Sequence, residues 1–184
     1  MRRAGLMLMA AGLALLAAAG RLALGNDAED HRAGAASARV LAAMVSTSAV
    51  PSETEAVCPG DPDCLGRLII PKLELELPIL SNWSYENLKT APCRYSGSPR
   101  DGDLVLLAHN YKTHFGPIRR LKSGDRVVFQ DTEGTVFEYQ VAATEVVSPS
   151  ALEEVTAGVH DLTLITCTYG GKTRLVVSCD AVTK

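Results

Sequence analysis

Hydrophobic and polar positions change rhythm three times along this chain. Arg2 and Arg3 precede an almost unbroken apolar run over residues 4–20, which Arg21 interrupts before Leu22-Ala23-Leu24. Counted through Leu24, with the Arg21 side chain snorkelling, the run reaches the ~20 residues that a membrane-spanning helix needs. Two arginines in front and few positive charges just behind predict a cytoplasmic N-terminus. The expectation is a single-pass signal anchor over residues 1–25 with the rest of the chain extracellular. The alternative is a signal peptide cleaved near Ala17-Ala18-Ala19. Residues 26–46 are helix-prone, with Asn26 or Asp27 as a cap and acids in the first turn. Ala36, Val40, Ala43 and Val45 give that helix a thin apolar stripe. Residues 46–63, rich in Ser, Thr, Pro and acids, read as a linker.

From Gly66 the texture becomes β. Leu68-Ile69-Ile70 is a short apolar strand stopped by Pro71, and Leu73-Glu74-Leu75-Glu76-Leu77 alternates, one face wet and one buried. Residues 83–89 suit a short helix, and 92–103 read as loop. Leu104-Val105-Leu106-Leu107-Ala108 is continuously apolar, as a strand buried on both faces would be. Residues 115–121 form a short helix with Pro117 in its first turn. A strand over 126–129, the turn Asp131-Thr132-Glu133-Gly134 and a long strand over 136–147 make a hairpin. A helical turn over 149–155 precedes two final strands, 162–167 and 174–179, joined through Thr168-Tyr169-Gly170-Gly171-Lys172. Seven or eight short strands with small helices between them predict an all-β sandwich or closed barrel rather than a parallel α/β sheet. The domain plan is therefore 1–25 anchor, 26–65 helical and linker segment, and 66–184 β-domain.

Composition narrows the function. The 184 residues are 47% hydrophobic, enough for one cored domain, and 18 basic against 21 acidic residues leave a net charge of −3. That balance supplies no basic face for nucleic acid. Five cysteines in an exported chain leave one thiol over. Cys58 and Cys64 bracket a turn-rich loop that can close as a disulfide in an oxidising compartment, and Cys93 with Cys179 offers a second bridge. Zinc is disfavoured, because no second close Cys pair and no His stand at ligand spacing. Glu153 and Glu154 on one helical turn read as a solvated face, so neither a metal nor a cofactor is expected.

The thiol left over is Cys167, at the end of Thr163-Leu164-Ile165-Thr166-Cys167. A free Cys at a strand end is usually a small buried hydrophobe. Here Thr163 and Thr166 add hydroxyls to an otherwise apolar strand, and Arg174 opens the next strand across a short turn. A positive neighbour favours a thiolate, and donors can hold an oxyanion. His109 ends the apolar run 104–108, at a strand-to-loop edge, and is the candidate acid/base. His114, read as opening a helix, His160, read as a solvated turn residue, and His31 in the linker helix are weaker candidates. Arg174, with its planar fork, suits a carbonyl or oxyanion better than Lys would.

These residues carry a resemblance. Thr163 to Cys167 matches the TLxTC signature of sortases, the surface cysteine transpeptidases of Gram-positive bacteria. Gly66-Arg67-Leu68-Ile69-Ile70-Pro71, Leu77-Pro78-Ile79, the strand before His109 and Leu121-Lys122-Ser123-Gly124-Asp125 lie where that family has similar stretches. The resemblance covers about 66–182 and implies a closed eight-stranded β-barrel. It implies Cys167 as nucleophile, His109 as acid/base and Arg174 as oxyanion stabiliser, with Thr166, Thr168 and Asn110 lining the substrate. His109-Asn110 and Phe115-Gly116 are closer to the class B branch, although the long helical insertion common there is missing from 147–161. The implied reaction cleaves an LPxTG-like sorting signal of a secreted protein between Thr and Gly. A thioester then passes to an amine of a peptidoglycan precursor or a pilin. A surface cysteine peptidase that hydrolyses, or a non-enzymatic exported β-domain, remains open on the same residues.

Overall fold

The structure, a computed structural model, describes residues 2–45, 63–157 and 159–182. It divides into two compact units, Met1–Arg32 and Ala33–Lys184. The described residues of the first all belong to α1 (Arg2–Val45), which also supplies the opening residues of the second. The cap expected at Asn26 or Asp27 is therefore not used. These residues cap only where the preceding backbone is non-helical, and the alanine-rich flanks on both sides propagate the helix through them. Among the described residues no helix is long and apolar enough to cross a membrane. The linker expected over 46–63 lies, except for Asp63, outside the described residues, as does Cys58.

The second unit is a closed barrel. Its strands are β1 (Cys64–Ile70), β2 (Leu75–Leu80), β3 (Cys93–Ser96), β4 (Leu104–Ala108), β5 (Arg126–Asp131), β6 (Val136–Val147), β7 (Leu162–Cys167) and β8 (Arg174–Ala181). They close in the order β1-β2-β3-β4-β7-β8-β6-β5. Neighbours are antiparallel except β2 with β3 and β4 with β7. Short helices α2 (Tyr85–Thr90) and α3 (Leu152–Val155) lie in the connections, and Ser84 caps α2 by accepting from the Asn87 N–H at 3.0 Å.

Two faces of the wall are apolar. Inside, Leu68, Leu104, Leu106, Phe129, Leu162 and Leu164 belong to one fully buried core. Outside, Val105, Ile165 and Val176 make a second cluster, with Leu107, Val147 and Val155 packed on it. That outer cluster explains why β4 is hydrophobic at every position. β3 departs from expectation, since the sequence suggested loop. Only Cys93 of its four residues is buried, so its pattern carries no alternation to read. Cys93 packs outside with Leu80, Leu88 and Ala91, whereas Cys179 sits in the interior core. They lie on opposite faces, three strands apart, and both are free thiols, so the bridge between them is not made.

Candidate active site

Strand register assembles the site. β4 and β7 run parallel with Ala108 opposite Thr166, so the residues that follow, His109 and Cys167, leave neighbouring strands at the same level. β7 and β8 run antiparallel with Cys167 opposite Arg174, and directly opposite residues project from the same face. That face is the outer one. Leu164 and Leu162 point into the core, Ile165 points out, and the period of two puts Cys167 out with Ile165. Carrying the β4 alternation past Leu107 puts His109 on the same side. The register thus brings the chain positions of Cys167, His109 and Arg174 to one end of an outer wall floored by Val105, Leu107, Ile165 and Val176. Cys167 is a half-buried free thiol, and His109 and Arg174 are also half-buried.

The connection between β7 and β8 is braced at its base. The Thr168 N–H donates to Thr173 O at 3.0 Å, the two threonine hydroxyls lie 2.6 Å apart, and the Gly171 N–H returns to Thr168 O at 2.9 Å. Gly170 and Gly171 both have left-handed φ, 82° and 72°, which explains two consecutive glycines by turn geometry. Arg174 Nη1 donates to Gly171 O at 3.0 Å and Thr173 O at 3.2 Å, so the guanidinium is folded against its own turn. Asn110 Nδ2 donates to Thr168 O at 3.4 Å, a long bond between the histidine loop and this turn. Thr166 is placed otherwise than expected of a substrate contact. It is buried, and its hydroxyl donates to Ala108 O at 2.8 Å, locking β4 to β7 immediately before His109 and Cys167.

A sequence profile of the sortase domain matches residues 68–182. The chain belongs to the sortase family. A sortase A from Bacillus anthracis is 33% identical over 126 residues, which are 64% of this chain and 60% of that protein. The chain therefore spans about 60% of the length of this curated relative. Among solved structures, sortase C-1 from Actinomyces oris is 28% identical with a TM-score of 0.57, covering 67% of this chain and 77% of that one. Sortase C1 from Streptococcus agalactiae is 26% identical with a TM-score of 0.61, covering 72% and 74%. A Clostridium perfringens sortase D5 transpeptidase, at 19% identity, a TM-score of 0.63 and coverage of 81% and 99%, shows the shared fold.

Within this sortase domain the other histidines have different tasks. His160 Nδ1 lies 2.6 Å from Asp180 Oδ1, at the end of β8 away from Arg174, so it is hydrogen-bonded to that carboxylate. His31 is exposed on α1. His114 does not cap a helix. It is fully buried, with Nε2 2.9 Å from the Ser37 hydroxyl. Neither Ser37 nor Tyr111, whose ring lies 4.8 Å from that of His109, stood out in the sequence. The only signal for Ser37 was a polar residue one helical turn from Ala33. The other cysteines are also accounted for. Burial pushes the Cys93 thiol up to about 11 and the Cys179 thiol up to about 12. Cys64 is disulfide-bonded. Among the described residues no group of acids, histidines and cysteines is arranged to hold a metal.

Proposed function

We propose that this sortase is a cysteine transpeptidase acting on an LPxTG-like sorting signal. Cys167 attacks the carbonyl carbon of the Thr–Gly bond, and Arg174 together with backbone N–H groups holds the oxyanion. His109 protonates the departing glycine amine, leaving a thioester on Cys167. An incoming amine of a peptidoglycan precursor or a pilin lysine then attacks the thioester, and His109 takes its proton. Two moderate steps replace one difficult amide exchange. The outer wall of β4 and β7 would seat the apolar residues of the signal, and the turn 168–173, with Asn110 across from it, would border the scissile bond. The observation that supports this reading is the double register, Ala108 with Thr166 and Cys167 with Arg174. Relatives named sortase A and sortase C do not fix a class, so the class B features at Asn110 and Phe115-Gly116 carry no assignment.

The protein would act at the cell surface, anchored by residues 1–25 with the barrel outside. Support comes from α1, where Leu13, Leu15, Leu16 and Leu22 are each about two-thirds or more exposed. Leucines exposed on several sides of a helix are suited to lipid contact, while no described helix is long and apolar enough to cross a membrane. The test uses a peptide carrying Leu-Pro-Xaa-Thr-Gly between a fluorophore and a quencher, with triglycine or a diaminopimelate-type amine added. Wild type should release the C-terminal fragment and yield the ligated product. His109→Ala and Arg174→Ala should each lower kcat/KM by about 10²-fold or more, and Arg174→Lys should not restore it. Cleavage by Cys167→Ala would end the proposal. Cleavage without ligation would make the enzyme a hydrolase.

A further inference from the structure

Behind His109 lies a buried polar chain that the proposed reaction does not use. Ser37, on α1, is buried, and its hydroxyl donates to Thr90 O, at the end of α2, at 2.6 Å. A hydroxyl has a single proton to give, so towards His114 Nε2, 2.9 Å away, the same oxygen accepts. The Nε2 atom therefore carries hydrogen, and the ring of His114 is fixed in tautomer and plane. Its ring lies 5.5 Å from that of Tyr111, and the Tyr111 ring lies 4.8 Å from that of His109. The backbone follows the same route. The N–H groups of His114 and Gly116 both donate to Tyr111 O, at 3.1 and 2.9 Å, and Phe115 N–H donates to His109 O at 3.2 Å. α1 closes on this loop at Gly34, where a Cβ would stand 2.7 Å from Thr113 Cγ2. Ala33 and Ser37, four residues apart, share the buried face.

We propose that Ser37 is a positioning residue for the His109 imidazole, acting through His114 and Tyr111. The proposal rests on the reading of His109 as the acid/base. Ser37 fixes His114, His114 fixes the Tyr111 ring, and that ring limits the orientations open to the imidazole that must reach the leaving amine. Removing one hydroxyl on α1 should therefore slow proton transfer while leaving the wall that binds substrate unchanged.

The experiment compares Ser37→Ala, His114→Phe, the double variant, Ser37→Thr and Leu41→Ala in the full-length protein. Leu41 packs on Cys64, one turn beyond Ser37, and controls for loosening α1. Readouts are kcat and KM on the sorting-signal peptide, and the ¹H–¹³C imidazole resonance of His109 in histidine-labelled protein. Ser37→Ala and His114→Phe should each lower kcat by about tenfold with KM within about twofold, since small misplacements of a catalytic group cost rate steeply. The double variant should be no worse than either, because both break one link. Ser37→Thr should retain the rate, and Leu41→Ala should lower stability with kcat unchanged. The His109 resonance should shift or broaden in Ser37→Ala and stay in place in Leu41→Ala. A wild-type His109 resonance in Ser37→Ala, or a loss of kcat in Leu41→Ala equal to that in Ser37→Ala, overturns the proposal. If wild type cleaves no sorting peptide, the acid/base reading fails and the resonance alone decides whether Ser37 orders this ring.

Discussion

Three cysteines among the described residues carry free thiols, and their surroundings separate them. Cys93 and Cys179 have no exposed surface, and desolvation by burial holds their thiols at about 11 and about 12. At pH 8 a thiol at about 11 is ionised about once in a thousand molecules, and only the thiolate reacts. Cys167 alone of the three reaches solvent. Iodoacetamide at pH 8 in native buffer should therefore modify Cys167 more than about 10²-fold faster than the other two, as read by peptide mass mapping. Equal modification of Cys93 would contradict the burial described. At this scale much was legible. Cys167, His109 and Arg174 announce themselves as polar groups at the ends of apolar runs, where the pattern stops for a reason other than a turn. Thr166 was legible as a polar interruption but not in its role, because its partner is a carbonyl on a strand 58 residues away. The bond between Ser37 and His114 spans 77 positions, and no local pattern encodes it.

Among elements, β1 shows how a strand can hide. Apolar character predicted it from Leu68, yet pairing begins at Cys64 and runs through Gly66 and Arg67. Gly66 is there for space rather than for a turn. A Cβ would stand 2.2 Å from Gln130 O and 2.8 Å from Phe129 Cζ, on the β5 side of the ladder. Gly66→Ala should destabilise the barrel by about 3 kcal/mol through overpacking and backbone strain, measured as a lower urea midpoint at an unchanged slope. The bounds of β4, β6 and β7 were readable because each has an unbroken or alternating apolar pattern closed by a turn signal. β3 was not, because it is four residues long and makes its contacts through backbone pairing on both edges.

For the whole molecule, strand spacing pointed to an all-β sandwich or closed barrel and the resemblance to sortases implied the closed form, but spacing did not give the order of strands around it. The parallel pairing of β4 with β7 joins elements distant in sequence, and periodicity is silent about partners. Closing the wall also sets the response to alkali. The Cys93, Cys179 and Tyr139 side chains are all held protonated by burial, their folded values lying above the ordinary 9.0 for the thiols and 10.0 for the phenol. In the unfolded chain these groups ionise first. The stability they confer is whole below about 9 and is lost as pH rises from there through about 11 and about 12. Urea midpoints should hold steady from pH 7 to 8.5 and fall steeply above 9, with Cys179→Ala showing a shallower fall. The parallel β4–β7 junction has a further consequence, for the timing of synthesis. A ribosome delivers the histidine strand more than fifty residues before the cysteine strand, and the arginine strand later still. A growing polypeptide consequently holds its imidazole before the strand of Cys167 exists, and the proposed trio can come together only when the wall shuts.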